Sequence, residues 1–326
     1  SILISKKLMK KILIIENIHE SGIKLLKEKK DYTFEIIDNL DPVFIKKKID
    51  DCDAIVLRTF NLSAELINSA KKLQIISRHG VGHDNVDLDT IKKKNITLAI
   101  TATTNAVAVA EHVFFMMLNI SKGYDMYDKC VKSGDFSKRN QLPKTTELWN
   151  KKILIVGFGR IGQSLIKRCL GFEMEVFVYD PFIDENKINS LGGKKVSDIN
   201  SMIKDMDYVS VHVPLNDKTR NLINLNNMKT MKKTAILINA ARGGVINESD
   251  LEEALNKNYI FGAGLDVFEK EPPDINNPLL KNKKVFLSPH AASFTEECMQ
   301  RMSKETIQNI IDFFEKKLDK SMIIKL

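Results

Sequence analysis

Short runs of consecutive aliphatic residues alternate along this chain with stretches whose apolar positions recur at helical spacing. In the first hundred residues the runs fall at 11–15, 33–37, 54–57, 74–77 and 96–100. Near-continuous Ile, Leu and Val strands separated by amphipathic helices belong in a parallel sheet covered on both faces. A long apolar helix at 105–122 then leads into a polar connector at 133–150, and a second alternation begins. Its strands are expected at 153–157, 175–179, 208–213, 235–239, 261–267 and 285–287. Six strands in βα order make a complete dinucleotide-binding sheet. The fold class is therefore α/β, with two doubly wound parallel-sheet domains: a Rossmann domain and a smaller, flavodoxin-like one.

Boundary signals add detail. Gly171 is expected to stop the helix that runs from Arg160 to Leu170, and Asn247 to cap a helix with Asp250 three residues on. Ser293-Phe294-Thr295-Glu296 reads as a capping box, followed by Met299, Met302, Ile307, Ile310 and Phe314 at helical spacing. This last helix comes after the second sheet is complete, so it is expected to return to the first domain. The domains are placed at 1–104 with 294–326 and at 105–293. Residues 1–8 lack the apolar core of a signal peptide and read as an extension upstream of a start at Met9.

Composition narrows the function classes. A length of 326 residues suits about two domains. With 43% hydrophobic and 28% charged residues the chain is neither disordered nor fibrous. No apolar run approaches the ~20 residues of a bilayer span; the longest, 106–120, is broken by Glu111 and His112. The cysteines Cys52, Cys130, Cys169 and Cys298 are scattered without a C-x-x-C pair, which fits a reducing, cytoplasmic setting. The net charge is +8, yet only 8 of the 50 basic residues are Arg, and Lys runs such as 46–48 and 92–94 are dispersed. Nucleic-acid readers favour clustered Arg, so these lysines read as solvated surface. Neither a nucleic acid nor a membrane is expected as partner.

Chemistry concentrates in the second domain. Lys152 to Val156 is a buried strand, and Gly157-Phe158-Gly159-Arg160-Ile161-Gly162 opens the helix behind it. Alone G-x-G-x-x-G is a weak signal. Here it has its strand, its helix, a following strand and an acid, Asp180, 18 residues after the last glycine. Gly157 permits the tight turn, Gly159 the approach of a pyrophosphate, and Gly162 close helix–sheet packing, with the anion on the helix N-terminus. Asp180 accepts from ribose hydroxyls and repels a 2′-phosphate, and Pro181-Phe182 offers no cation for one. NAD is favoured over NADP.

Three ionisable residues stand at or beyond the carboxyl ends of late strands, where open α/β sheets bind ligands: Arg242 in Asn239-Ala240-Ala241-Arg242-Gly243-Gly244, Glu271 in Asp266-Val267-Phe268-Glu269-Lys270-Glu271-Pro272, and His290 in Leu287-Ser288-Pro289-His290. Reduction of a 2-oxo acid needs a carboxylate anchor, a proton donor and a group that tunes the donor. Arg offers a planar fork, His exchanges protons near neutrality, and a Glu beside a His favours the imidazolium.

Gly157–Gly162, Asn239–Gly244, Gly262-Ala263-Gly264-Leu265-Asp266-Val267-Phe268 and Ser288-Pro289-His290 together closely resemble the D-isomer-specific 2-hydroxyacid dehydrogenase family, and within it the phosphoglycerate dehydrogenase-like subgroup. The resemblance runs from Lys11 to the last helix. It implies NAD as cofactor, a catalytic set of Arg242, Glu271 and His290, and a nicotinamide contact by Asp266. It also implies that His212-Val213-Pro214 and Thr219 line the adenosine and phosphate side, and that Ala240 and Ala241 lie against the nicotinamide, beside Arg242 and His290.

The resemblance further implies that the first domain supplies substrate loops, with Arg58 and Thr59 in one and His79, Gly80 and Val81 in the other. Gly80 and Val81 amides would hold the substrate carboxylate opposite Arg242, and Asn105 matches a position near substrate and linker. Two departures bear on the substrate, a small anionic 2-hydroxy or 2-oxo acid. The first loop lacks the Lys that suits a substrate phosphate, and His79 replaces a smaller residue. A phosphoglycerate-type substrate and a plain one, as in a hydroxypyruvate or glyoxylate reductase, both stay open. A regulatory domain is not expected after the last helix, nor serine feedback through one. His79 and His83 lie four apart, but the intervening glycines and the lack of a third ligand argue against a metal. His112 reads as a satisfied core or interface histidine, and the apolar 105–122 helix as core or homodimer contact; Phe136 in place of a Trp leaves a tetramer in doubt. The competing class, an NAD-sensing corepressor-like binding protein, would make no strong demand for Arg242, Glu271 and His290.

Overall fold

The computed structural model describes residues 9–326, and the reading of residues 1–8 as an extension lies outside them. The chain divides into two compact units, one of the chain up to Asn105 with Phe294–Leu326, the other Ala106–Ser293.

The first unit holds five parallel strands, β1 (Lys10–Ile15), β2 (Tyr32–Ile37), β3 (Ala54–Leu57), β4 (Ile75–Arg78) and β5 (Thr97–Ala99), in the order β2-β1-β3-β4-β5. This is the flavodoxin-like order, with its switch point between β1 and β3. Alternate residues feed opposite layers. Leu13, Ile15, Ile55, Leu57 and Ile76 face one buried cluster, while Ile12, Ile14, Val56 and Ile75 face the other. The period of two along a strand forces this division, and burial on both faces explains why these strands read as unbroken apolar runs.

The last helix, Glu296–Phe314, closes this unit. Ile307, Ile310 and Ile311 enter the second apolar layer, and the Ser77 hydroxyl donates to the Thr306 carbonyl at 2.8 Å. The N-cap is Thr295, whose hydroxyl accepts from the Cys298 N–H at 3.1 Å. The Ser293 box is therefore corrected by two residues: Thr295 has the extended backbone and free oxygen that a cap requires.

The second unit carries seven parallel strands, one more than expected: β6 (Lys152–Val156), β7 (Glu175–Tyr179), β8 (Lys194–Val196), β9 (Tyr208–Val211), β10 (Ile236–Asn239), β11 (Gly262–Leu265) and β12 (Val285–Leu287). Their order is β12-β11-β10-β9-β6-β7-β8. The missed strand β8 is an edge of three residues with two lysines, a composition that protects an edge and erases the apolar signal. Gly171 is also corrected. The helix Arg160–Gly171 includes it, Phe172 is the C-cap, and the left-handed residue is Glu173 at φ 56°. The connector at 133–150 contains a short 3-10 helix, Phe136–Gln141, preceded by an α-helix, Tyr124–Lys132. Two apolar layers again cover the sheet, one built on Ile153, Ile155, Val176 and Ile238 with the helix Ala106–Lys122, the other on Leu154, Val156, Val209, Leu237 and Leu265.

Docking of the last helix in the first unit can be tested at Gly22, in the helix Glu20–Lys27. A Cβ there would lie 2.3 Å from Ser303 Oγ and 2.6 Å from the Ser303 carbonyl oxygen. Alanine gains about 1 kcal/mol in helix propensity, whereas overpacking against backbone costs about 1–3 kcal/mol. Gly22→Ala is expected to lower the thermal midpoint; an unchanged or raised midpoint would contradict this packing.

Candidate functional site

The end of β6 is built to approach a ligand. Gly157 sits at φ +97°, and a Cβ on it would lie 2.5 Å from the His212 carbonyl. A Cβ on Gly162 would lie 2.5 Å from the Gly157 carbonyl, whereas beside Gly159 there is no atom within 4 Å. Gly159 is the N-cap of the helix Arg160–Gly171 and provides no side-chain cap. Open space and first-turn N–H groups left for a ligand suit a diphosphate. Gln163 donates to the Phe158 carbonyl at 2.9 Å and steadies the turn. β6 and β9 are neighbours at the switch point of the sheet, where doubly wound folds bind nucleotides.

Asp180 follows β7. Its Oδ2 accepts from the Phe158 N–H and its Oδ1 from the Phe182 N–H, both at 2.8 Å. The carboxylate is thus held against the glycine loop with lone pairs left for a ribose. Phe182 itself is 90% exposed. After β9, His212 Nε2 pairs with Ser210 Oγ at 2.7 Å, and burial pushes its pKa down to about 4. Its imidazole is therefore neutral at physiological pH. Thr219 Oγ1 donates to the Pro214 carbonyl at 2.5 Å and accepts from the Asn216 N–H at 2.9 Å. This pins the loop that follows His212-Val213-Pro214.

The loops after β10, β11 and β12 meet at their backbones. Buried Asn239 accepts from the Ala241 N–H at 3.0 Å and donates to the Arg242 carbonyl at 2.9 Å, which shapes the turn through Ala240 and Ala241. Arg242 Nη1 donates to the Ala241 carbonyl at 2.7 Å. A Cβ on Gly243 would lie 1.8 Å from the Phe268 carbonyl oxygen, so only glycine lets the Arg242 loop touch the loop that carries Glu271.

Glu271 Oε2 lies 2.7 Å from His290 Nδ1, and Oε1 accepts from the Phe268 N–H at 3.1 Å. A carboxylate on Nδ1 fixes the tautomer with Nδ1–H and leaves Nε2 for proton exchange. Burial pushes the Glu271 pKa up, but the His290 hydrogen bond and charge, the Phe268 N–H and the Arg242 charge outweigh it, leaving a net lowering. His290 is left-handed, at φ 51°, a conformation that costs about 1–3 kcal/mol and persists only where the surroundings enforce it. Its N–H donates to the Asp266 carbonyl at 2.8 Å.

Asp266 is 1% exposed. Oδ1 accepts from Ser288 Oγ at 2.6 Å and from the Ala291 N–H at 2.8 Å, and Oδ2 from the Ala292 N–H at 3.0 Å. Its carboxylate thus bonds to the turn around His290. Asn239 and Ser288 lie inside the recognisable motifs; Asn239 acts on its own turn, whereas Ser288 acts on a residue 22 positions away, so local sequence gives its role no signal.

In the first unit the expected substrate loops follow β3 and β4, and the first of them is tied across the switch point to Glu16, just after β1. Glu16 accepts from the Thr59 N–H and hydroxyl and from the Phe60 N–H at 2.6–2.8 Å. Arg58 donates to the Asn17 carbonyl at 2.7 Å. Arg78 donates to the carbonyls of Gly82 at 2.6 Å, Leu57 at 3.0 Å, and Arg58. Asn85 donates to the Arg58 and Phe60 carbonyls at 3.1 and 2.8 Å. Apart from the Arg78–Gly82 bond, which spans four positions, the bonds of Glu16, Arg78 and Asn85 named above join positions 20 to 44 apart, so local sequence gives no signal for them. His79 is buried, and burial with the nearby Arg58 and Arg78 charges pushes its pKa down to about 3. Gly80 has φ +144°. Val81 follows, partly exposed. Asn105 directly precedes the helix Ala106–Lys122. Among the described residues no group of three or more His, Cys, Asp or Glu is arranged to hold a metal.

The lowered Glu271 pKa fixes the sign of an acid-stability effect. The folded value lies below the ordinary 4.5, so the contribution is fully present above 4.5 and is lost as pH falls through the lower folded value. Denaturant unfolding from neutral pH down through that acid limb is expected to be flatter for Glu271→Gln than for the wild type. Identical acid limbs would contradict the pairing.

Residues 114–292 match the model of the D-isomer specific 2-hydroxyacid dehydrogenase NAD-binding domain. The chain is 35% identical over 326 residues to glyoxylate reductase of Thermococcus litoralis, with 97% of each protein covered. It is 37% identical over 293 residues to D-3-phosphoglycerate dehydrogenase of Methanocaldococcus jannaschii, but spans only 55% of that relative's length. The D-lactate dehydrogenase of Aquifex aeolicus, solved with NAD and lactic acid, superposes with a TM-score of 0.84 at 26% identity, covering 96% of this chain and 98% of that one. NAD is accordingly the cofactor of the second unit. The chain belongs to the D-isomer specific 2-hydroxyacid dehydrogenase family.

Proposed function

We propose that the protein is an NAD-dependent dehydrogenase that interconverts a small D-2-hydroxy acid and its 2-oxo acid. The observation that carries this reading is the 2.7 Å pair of His290 Nδ1 and Glu271, set on the same unit as the glycine-rich loop. Bound NAD supplies the hydride chemistry. Gly157, Gly159, Arg160, Ile161 and Gly162 bind its diphosphate, Asp180 its ribose, and His212, Val213, Pro214 and Thr219 border the adenosine and phosphate side. Ala240, Ala241 and Asp266 border the nicotinamide, beside Arg242 and His290.

Arg242 anchors the substrate carboxylate and polarises the neighbouring carbonyl through its planar fork. In the reducing direction His290 gives the Nε2 proton to the carbonyl oxygen as the carbon gains the hydride; in the oxidising direction it takes that proton back. Glu271 holds the ring and favours the imidazolium that proton exchange requires. Arg58, Thr59, His79, Gly80, Val81 and Asn105 are assigned to substrate selection on the strength of the family resemblance.

Two substrate classes are distinguished by the first loop. Arg58 favours a phosphorylated acid of the phosphoglycerate type. The absence of a Lys after Arg58, and a similarity to glyoxylate reductase that spans the whole chain, favour an unphosphorylated 2-oxo acid. A homodimer fits the helix Ala106–Lys122, which leaves Val107 and Phe115 exposed. Among the described residues no helix is long and apolar enough to cross a membrane, and a cytoplasmic location fits four buried, unpaired cysteines.

The test is a panel of glyoxylate, hydroxypyruvate, pyruvate and 3-phosphoglycerate with both nicotinamide cofactors, followed at the nicotinamide absorbance. Turnover with at least one acid is expected, and silence across the panel would overturn the reading. His290→Ala and Arg242→Ala should each lower kcat by about 10²-fold or more with NAD affinity retained; wild-type turnover in either removes its role. NAD should outperform NADP in the wild type. Losing a charged hydrogen bond in Asp180→Ala should narrow that preference by roughly ten- to a hundredfold. An unchanged ratio of kcat/KM values would remove Asp180 from cofactor selection.

A further inference from the structure

The geometry points to His112 as a positioning residue for His290, acting through a one-way chain of hydrogen bonds from His112 through Ser288 to Asp266. This rests on the reading of His290 as the proton-exchanging group. His112 lies on the helix Ala106–Lys122, Ser288 just after β12, and Asp266 just after β11. His112 Nε2 is 2.8 Å from Ser288 Oγ, which is 2.6 Å from Asp266 Oδ1. His112 Nε2 also approaches Asp266 Oδ1 directly, at 3.7 Å.

The direction of the chain follows from donor arithmetic. An ionised carboxylate only accepts, and a serine hydroxyl has a single proton to give. Ser288 spends that proton on Asp266, in a short charge-assisted bond. Its oxygen must then accept from His112, so His112 carries a proton on Nε2. The imidazole thereby holds the Ser288 hydroxyl in the one orientation that completes the Asp266 shell.

The other end of the chain is His290. The Asp266 carboxylate holds the N–H groups of Ala291 and Ala292, and the Asp266 carbonyl holds the N–H of His290. Residue 266 therefore grips the turn on both sides of the His290 side chain and keeps the left-handed φ of 51° that brings Nδ1 to Glu271. Without the His112 donor, Ser288 Oγ can rotate its proton away. Asp266 Oδ1 then loses its shortest bond, and the turn gains freedom. A histidine that merely filled space would be replaceable by any side chain of similar volume. One that orients Ser288 requires an N–H at the position of Nε2.

The variants His112→Gln, which keeps such a donor, His112→Met, which keeps volume alone, and Ser288→Ala separate these roles. With an acid that the wild type turns over, His112→Met and Ser288→Ala are expected to lower kcat by about 10- to 100-fold, with KM and NAD affinity nearly unchanged. His112→Gln should restore most of kcat, and the double variant His112→Met/Ser288→Ala should be no worse than either single one. In NAD-free protein labelled at its histidine rings, the His290 resonances should move in His112→Met and Ser288→Ala and stay in place in His112→Gln. If His112→Met fails to fold, Ser288→Ala carries both readouts. Wild-type kcat with unmoved His290 resonances in folded His112→Met or Ser288→Ala would overturn the proposal, as would equal losses in His112→Gln and His112→Met. A wild type inactive on every acid, with His290 resonances that still respond to His112→Met, would sink the dehydrogenase reading and leave the positioning chain standing.

Discussion

Burying an ionised carboxylate costs several kcal/mol unless its oxygens are fully hydrogen-bonded. Asp266 meets that demand at the end of β11 with one hydroxyl and two backbone N–H groups. All three donors come from the residues that follow β12, so satisfying the charge and shaping the turn around His290 are the same act. A left-handed histidine would be an unfavourable choice in an unconstrained loop. Here the carboxylate shell enforces it.

The same economy governs the rest of the second unit. Parallel strands deliver their carboxyl ends to one edge of the sheet, so the loops after β6, β7, β9, β10, β11 and β12 gather there without any long connection. Contact between neighbouring loops then depends on where side chains are missing. Gly243 lets the Arg242 loop touch the Phe268 carbonyl, and Gly157 lets the glycine-rich turn touch the His212 carbonyl. In the first unit the same edge is held by charge instead, with Glu16 bonding to backbone groups across the β1/β3 switch point and Arg78 to backbone groups at the end of β3 and after β4.

Legibility in the sequence follows the range of each interaction. Central strands such as β1, β6 and β10 declare themselves because both faces are buried and their central positions are apolar. β8 hides because an edge strand keeps one side for water and uses lysines there. The end of the helix at Phe172 and the cap at Thr295 were displaced by one or two residues from the nearest Gly and Ser, since backbone geometry rather than residue type chose the position. The glycine-rich turn is readable because strand, turn and helix are contiguous. The His112–Ser288–Asp266 chain is not, because its members are separated by up to 176 positions and only the folded sheet makes them neighbours. Substrate choice is the least legible property, since Arg58 favours a phosphorylated acid while the absence of a Lys after it favours a plain one.

In the proposed function, this edge of the second unit directs a hydride to one face of a 2-oxo acid while His290 supplies the proton. Reduction with NADH deuterated at the transferring carbon tests it most directly, with the product analysed by NMR and chiral chromatography. Deuterium is expected on the carbinol carbon of a hydroxy acid of D configuration. Deuterium lost to solvent, or a product of L configuration, would contradict the proposed function.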